Sequence, residues 1–105
     1  VRGWLGVEAQ AITPQIAQAL DLDKTGGVII VGVVRNGPAH RAGMQPGDII
    51  VSIDGRKITE AREALLAISS RKPGDRVKLE VLRNGKQAML EATAIERPAR
   101  AALTE

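Results

Sequence analysis

The chain has 105 residues, of which 44% are hydrophobic and 26% charged, and its one aromatic residue is Trp4. This length supports a single domain with one core, which must be built from aliphatic side chains. The absence of cysteine excludes disulfides, thiolate zinc sites and cysteine nucleophiles. The net charge of +3 is interspersed along the chain without aromatic stacking platforms, which argues against a nucleic-acid-binding surface.

Apolar runs in the sequence are of strand length at most. None approaches the roughly 20 residues of a membrane span, so we expect no direct insertion of this segment into a membrane. The chain also opens abruptly at Val1, without a secretory signal. We therefore expect a domain taken from a longer protein, with any targeting segment outside it.

The first elements alternate strand, helix and strand. Leu5–Val7 begins a short strand after a turn flanked by glycines. Thr13 and Pro14 predict a helix start, with Thr as N-cap and Pro at the first helical position, and this helix runs to about Leu22. The run 28–34 is apolar throughout and rich in β-branched residues, which predicts a central strand covered on both faces.

The middle of the chain predicts a helical turn, a strand and a second helix. The turn begins at Pro38 and is closed by Gly43 as a C-terminal cap. The strand covers 49–53 and ends at the turn Asp54-Gly55. The second helix covers Thr59 to about Ser70, with Thr59 as the N-cap candidate.

A β-hairpin is predicted at the end of the chain, around Asn84-Gly85, with strands over 77–83 and 86–95. A two-residue turn sets the register. It pairs Val81 with Ala88, Leu79 with Leu90 and Val77 with Ala92 on an apolar face, and Lys78 with Glu91 on the opposite face.

These elements make a small α+β domain over residues 1–96, followed by an Ala-rich tail or linker over 97–105. Five to six strands, two helices and one helical turn are expected, with the sheet curling into a partly open barrel. No internal repeat is present.

Enzyme chemistry finds little support in the sequence. The single histidine, His40, lies in the helical turn, and none of the three serines stands in a Gly-x-Ser-x-Gly motif. Paired-His, calcium-loop and phosphate-loop motifs are absent. We expect no catalytic residue, no metal and no cofactor in this chain.

Two features together suggest a peptide groove. Arg2–Val7 forms a glycine-bracketed turn whose successive N–H groups can bind an anion such as a carboxylate. The second helix carries an apolar stripe, namely Ala61, Leu65 and Ile68. If it lies beside the first strand, a groove floored by Leu5 and Val7 could accept an extended peptide. The alternative, an ordinary turn and an ordinary core stripe, stays open on these residues alone.

A family resemblance bears on this choice. Gly3-Trp4-Leu5-Gly6-Val7 resembles the carboxylate-binding loop of PDZ domains. The stretch 36–55 resembles the PDZ signature, in the order Gly37-Pro38-Ala39, Ala42-Gly43, Gly47-Asp48-Ile49-Ile50 and Asp54-Gly55. The permuted order, with the loop first and the hairpin last, is similar to the PDZ domains of bacterial HtrA-type serine proteases, most closely the DegS/AlgW branch.

The resemblance implies a site. The N–H groups of Leu5, Gly6 and Val7 would receive the carboxylate of a peptide, with Arg2 adding electrostatic attraction. The pocket for the last side chain would be lined by Trp4, Leu5, Val7, Leu65 and Ile68, with Trp4 either contacting the ligand or only packing. The resemblance leaves open which face of the helix looks into the groove.

It also implies a function. The chain would bind C-termini of misfolded or outer-membrane proteins and control an upstream trypsin-like protease domain in periplasmic quality control and stress response. The expected compartment is the periplasm of a Gram-negative bacterium, with an inner-membrane tether outside this chain as an option. Two alternatives stay open: a PDZ module of a secretion-system or intramembrane-protease protein, and an interaction module that uses the exposed sheet.

Overall fold

A computed structural model describes residues 3–19, 21 and 27–96. Arg2 and the tail 97–105 therefore lie outside the described residues, as does Leu22, where the first helix was predicted to end. The strands are β1 (Gly3–Trp4), β2 (Val7–Ala11), β3 (Val28–Val33), β4 (Ile49–Ile53), β5 (Arg56–Lys57), β6 (Arg76–Arg83), β7 (Lys86–Thr93) and β8 (Ile95–Glu96). The helices are α1 (Pro14–Ala19), α2 (Pro38–Arg41) and α3 (Ala61–Ser69).

The strands form one large and one small antiparallel sheet. The large sheet has the order β2-β3-β4-β6-β7, with β5 paired to β4, and the small sheet pairs β1 with β8. This combination of a partly open antiparallel sheet and separate helices agrees with the predicted α+β class. No helix in the described part of the chain has the length and apolar character that crossing a bilayer requires.

The core is aliphatic, as the composition requires. Its fully buried members come from the loop after β1, from β3, β4, β6 and β7, from α2 and α3, and from the residue between β7 and β8; they include Leu5, Val28, Ile30, Ala39, Ile50, Ile53, Ala64, Val77, Leu79, Val81 and Ala94. The large sheet and α3 thus enclose the main apolar core, and α1 covers a second, smaller cluster of Ile12, Ala17 and Ile29.

The hairpin prediction is confirmed in turn and register. Asn84 and Gly85 both have positive φ, 53° and 76°, as a type I′ turn requires. Val81 pairs with Ala88 and Lys78 with Glu91, and the apolar face of β6 is buried. The second strand is shorter than predicted, because β7 ends at Thr93 and the next residues turn away to pair with β1.

Three further predictions need correction. Residues 28–30 are buried, but Val31 is 43% exposed, so β3 is not covered on both faces along its whole length. The apolar cover of the second face, from Ile12 and Ala17, reaches Ile29 and does not include Val31. The β2–β3 pairing also shifts register at Val31, since Glu8 pairs with Gly32 but Ala9 with Ile30. The N-cap of α3 is Glu60 and not Thr59, and the first helix does not continue to Leu22, because Asp21 already lies in a turn with φ of 56°.

The other helix predictions hold. The Thr13 hydroxyl accepts a hydrogen bond from the Ile16 N–H at 3.2 Å, as an N-cap does. The turn α2 begins at Pro38 and is followed by Gly43 with φ of 95°, a conformation that favours glycine.

Candidate functional site

The loop between β1 and β2 has its carbonyl groups engaged and two of its amides free. The Leu5 carbonyl accepts a hydrogen bond from the Ala39 N–H at 2.9 Å, and the Gly6 carbonyl accepts one from the Val34 N–H at 2.8 Å. Within the described residues, the N–H groups of Leu5 and Gly6 donate to no partner. Unpaired amides on successive residues, with Gly6 at φ of 75°, are the arrangement from which anion-binding concavities are built.

The Val7 amide joins this set through the register of the sheet. Val7 pairs with Val33, and the neighbouring Gly6–Val34 hydrogen bond shows that this pair is not itself hydrogen-bonded. The N–H and C=O of Val7 therefore point away from β3. Three consecutive amides, at residues 5, 6 and 7, are thus available at the start of β2.

The outer edge of β2 continues the same pattern. The Ile12 N–H donates to the Gly27 carbonyl at 3.1 Å, so the pair Ala11–Val28 is also a non-hydrogen-bonded one. By alternation, the backbone groups of Val7, Ala9 and Ala11 all face outward. Within the described residues β2 is an edge strand with a partner on one side only, so it can accept an added strand.

Helix α3 stands beside this edge, packed along β1 and β2. Ala64 and Ile68 are buried in the core, whereas Leu65 is 68% exposed on the flank next to them. The end of the helix meets the small sheet, where the Gly3 N–H donates to the Arg71 carbonyl at 2.6 Å. The strand and the helix thus converge next to the loop with the free amides.

The predicted pocket residues fall into a buried and an exposed group. Leu5 (1% exposed) and Ile68 belong to the core, Val7 is half-buried against it, and Leu65 is exposed. A pocket at this position would therefore have a fixed base and an open wall. Within the predicted stripe on α3, Ile68 is buried and Leu65 is exposed, and Ala64, which the stripe does not include, is the most deeply buried residue of the helix.

Trp4 packs over the loop. A Cβ atom at Gly6 would lie 3.0 Å from Trp4 Cη2 and 3.2 Å from Val34 Cβ. The indole ring thus occupies the space beside Gly6 and supports the shape of the loop, while β1 and β8 hold the Trp4 backbone opposite Ile95.

The start of α3 uses its polar residues for capping. Glu63 Oε1 accepts hydrogen bonds from the Glu60 N–H at 3.0 Å and from the Thr59 N–H and hydroxyl at 3.1 and 2.8 Å. The Thr59 hydroxyl, with these amides and Arg56 as further contributors, holds the pKa of Glu63 below its usual value. The hydrophilic first turn of α3 is therefore explained by its cap.

An ion pair between the buried carboxylate of Asp48 and the partly exposed guanidinium of Arg83 attaches the stretch 36–55 to β6, and it is not predicted from the sequence. Asp48 is 1% exposed, and its carboxylate accepts from Arg83 Nε at 2.8 Å, from Arg83 Nη2 at 2.7 Å and from the Gln45 N–H at 2.9 Å. Burial alone would raise the pKa of Asp48, but the Arg83 and Gln45 hydrogen bonds and the Arg83 charge outweigh it and lower that pKa. The partners are 35 residues apart, so no short-range sequence pattern predicts the pair.

Two other features of the surface lie away from the outer edge of β2. A depression of about 390 Å³ lies between α2 and the β7–β8 segment, lined by Asn36, Pro38, Arg41, Ala42, Glu91, Ala92, Thr93 and Ile95. His40 is exposed, and its Nδ1 accepts a hydrogen bond from the Asn36 N–H at 3.0 Å. Over residues 3–19, 21 and 27–96, no cluster of His, Cys, Asp and Glu could hold a metal ion.

Comparison with known proteins places this geometry in a family. A family model described as a PDZ domain matches residues 3–93. A probable periplasmic serine endoprotease, DegP-like, from Pseudomonas putida strain F1 is 39% identical over 90 residues, covering 86% of this chain and 19% of that protein. A protein of the same description from Bartonella henselae is 38% identical over 86 residues, covering 82% and 17%.

Solved structures agree. The HtrA-type protease AlgW with a decapeptide superposes with a TM-score of 0.86 and 42% identity, over 93% of this chain and 30% of that one. The HtrA3 PDZ domain bound to the phage-derived ligand FGRWV gives 0.76 and 27%, over 89% of this chain and 85% of that one. This chain spans about a fifth of the length of the curated relatives it matches. Because the family model covers nearly all of the described residues and the fold agrees with it, the chain belongs to the PDZ domain family.

Proposed function

We propose that this chain is the regulatory peptide-binding domain of a periplasmic serine endopeptidase of the HtrA type. The observation that carries the proposal is the free outer edge of β2, which starts at three available amides and runs beside α3. Free N–H groups that can donate to a carboxylate, next to an unpaired strand edge, fit the C-terminus of an extended peptide.

The binding mode follows from the directions of the backbone groups. The terminal carboxylate lies at the amides of Leu5, Gly6 and Val7, and the peptide then runs antiparallel to β2 and pairs with the outward groups of Val7 and Ala9. The last side chain enters between Val7 and Leu65, above the buried base formed by Leu5 and Ile68. One short strand and one anchored side chain give an affinity in the micromolar range, about −8 kcal/mol.

The relatives supply the context of the parent protein. They are named periplasmic serine endoproteases, and AlgW has been solved with a decapeptide and with a tripeptide. We place this chain downstream of a trypsin-like domain, with residues 1–96 as the PDZ unit and 97–105 as a tail or linker. Its ligands are the C-termini of misfolded or outer-membrane proteins, and Arg2 adds electrostatic attraction for the peptide carboxylate. The parent protein acts in periplasmic stress response and is tethered to the inner membrane.

The test is a titration of the domain with five-residue peptides that lack Trp and end in Val or Phe, followed by Trp4 fluorescence and NMR. We expect micromolar binding, with shifts confined to Leu5–Val7, β2 and α3. The same peptides with an amidated C-terminus should bind at least tenfold more weakly, because charge-assisted hydrogen bonds to the carboxylate are lost. Equal affinity of both forms, or shifts that miss the loop, would refute the carboxylate model.

The parent-level part of the proposal has its own test. In the full-length protein, a binding peptide should raise the rate of cleavage of an unrelated unfolded substrate, and the amidated peptide should not. If a peptide already shown to bind leaves the cleavage rate unchanged, this domain does not control the protease.

A further inference from the structure

Arg71, two residues after the end of α3, links three parts of the domain. Its backbone carbonyl accepts the hydrogen bond from the Gly3 N–H. Its guanidinium donates through Nη2 to the carboxylate of Asp54. The backbone of Arg71 thus contacts the strand that leads into the carboxylate loop, and its side chain contacts the turn between β4 and β5.

Asp54 is a fixed point in this arrangement. Its N–H donates to the Lys78 carbonyl at 2.8 Å, and its Oδ1 accepts from the Lys78 N–H at 2.8 Å. Both bonds tie the turn residue to β6 in the large sheet, which leaves Oδ2 for the arginine. The end of α3 is therefore attached to the sheet through a residue that has little freedom to move.

β1 and the residues at the end of α3 approach each other closely at Gly3, where there is no room for a side chain. A Cβ atom at Gly3 would lie 2.8 Å from the Arg71 carbonyl oxygen, 3.1 Å from the Ile68 carbonyl oxygen and 3.2 Å from Ala94 Cβ. A displacement of the helix end would therefore be transmitted to β1, and Leu5 lies two residues further along the chain. The position of the free amides relative to the wall of α3 depends on where Arg71 is held.

We propose that the Asp54–Arg71 pair is a positioning device for the peptide groove, which sets the separation between α3 and the carboxylate loop. This inference rests on the proposed function. Neither side chain contacts the peptide; the pair acts through the Gly3–Arg71 backbone bond. An ordinary surface ion pair, by contrast, would affect neither the loop nor the affinity.

The geometry of the arginine sharpens the test. Arg71 Nε is buried and finds no hydrogen-bond partner among the described residues. The guanidinium therefore works as a single donor and not as the two-pronged fork for which arginine is usually required. Lysine at this position should reproduce the contact, whereas methionine, of similar length and without charge, should not.

The experiment compares Arg71→Met, Arg71→Lys and Arg76→Met. The last is the matched control, because Arg76 loses an exposed ion pair with Glu91, 3.7 Å apart, at the start of the hairpin. Peptide affinity is measured with the five-residue peptides above, at a temperature where thermal unfolding shows every variant to be folded. Hydrogen exchange of the Gly3 amide and the chemical shifts of Leu5–Val7 are measured without peptide.

We expect Arg71→Met to weaken binding roughly 3- to 10-fold, mainly through faster dissociation, since a preorganised wall is lost. Its Gly3 amide should exchange faster and its loop shifts should move. Arg71→Lys and Arg76→Met should retain the wild-type values. If Arg71→Met does not fold, Asp54→Asn, which keeps an oxygen for the Lys78 N–H, should give the same losses.

The outcomes separate the two proposals. A wild-type domain that binds none of the peptides contradicts the proposed function, and the free-domain measurements at Gly3 and the loop still decide whether the pair positions them. Wild-type affinity and unchanged Gly3 exchange in Arg71→Met overturn the positioning role. Equal losses in Arg71→Met and Arg76→Met also overturn it, because they point to a general effect of charge.

Discussion

At the scale of single residues, Gly6 is the position where backbone conformation and packing meet. Its φ of 75° places it in the left-handed region, and the Trp4 ring fills the space where a side chain would project. The residue sits between two amides that we assign to the carboxylate. The shape of the loop and the carboxylate binding that we propose for it therefore depend on the same glycine.

We predict that Gly6→Ala weakens peptide binding at least tenfold, because displacing the loop removes a charge-assisted hydrogen bond of about 1.5–3 kcal/mol. The matched control is Gly85→Ala, at φ of 76° in the hairpin turn, where a Cβ atom has no neighbour within 4 Å. Backbone strain should cost both variants about 1–2 kcal/mol of unfolding free energy, and Gly6→Ala should lose more than Gly85→Ala because its Cβ atom also meets Trp4 and Val34. Calorimetric titration and urea unfolding measure the two quantities.

Comparing the two variants distinguishes an effect of the loop's shape from a general loss of stability. If Gly85→Ala weakened binding as much as Gly6→Ala, the loss would reflect destabilisation and not the shape of the loop. If Gly6→Ala bound peptide like the wild type, the loop amides would not be the carboxylate site.

At the scale of elements, β2 divides its backbone between two tasks. Its inward groups pair with β3, and the outward groups of Ala9 and Ala11 are left for an added strand. Proline at an outward position removes an amide that the sheet does not use, which edge strands tolerate. The folded domain and the bound peptide can therefore be perturbed separately.

We predict that Ala9→Pro weakens a three-residue peptide about fivefold, the equivalent of one backbone hydrogen bond of about 1 kcal/mol. Ala11→Pro should leave that affinity unchanged, because three residues at about 3.3 Å each do not reach it from the carboxylate loop. A ten-residue peptide should be weakened by both. The measurement is isothermal titration, with thermal unfolding to show that both variants fold; equal effects of both substitutions on the short peptide would contradict the assigned direction.

Elements determined by local rules could be predicted from the sequence. The hairpin register follows from Asn84-Gly85 and the alternation beside it, and the first helix start follows from Thr13-Pro14. The small sheet could not be predicted, because it joins two-residue strands from opposite ends of the chain, Gly3 with Glu96. The cap of α3 was misplaced by one residue because Glu63 bonds to the amides of both Thr59 and Glu60.

The candidate site also has a part that the sequence predicts and a part that it does not. The glycine-bracketed loop was visible as a motif, and the resemblance assigned its amides. The supports of the loop were not visible, since Val34 and Ala39 come from distant segments and use only backbone groups, which leave no trace in residue identity. The link from Asp54 to Arg71, 17 residues apart, likewise needed the fold.

At the scale of the whole molecule, two carboxylates couple stability to pH. The pKa values of Asp48 and Glu63 both lie below their ordinary values in the folded domain. The unfolded chain therefore binds more protons than the folded one as these groups titrate, so stability rises with pH in that range. Their contribution is complete above the unfolded pKa values, near 4, and is lost as the pH falls through the lower folded values.

We predict that the unfolding free energy, measured by urea titration, is level between about pH 5 and 7 and falls steadily below about pH 4. Arg83→Met should lower the level region by about 2 kcal/mol, since it leaves a buried carboxylate without its cation. It should also flatten the fall in acid, because burial of Asp48, which raises its pKa, then opposes the remaining Gln45 hydrogen bond. Glu63→Gln should make the loss of stability in acid less steep through the cap of α3 alone. If the loss in acid is unchanged in both variants, other carboxylates are responsible for the pH dependence.

Peptide affinity at neutral pH should be the same in Arg83→Met as in the wild type, because the Asp48–Arg83 pair stabilises the segment before β4 and touches neither the carboxylate loop nor α3.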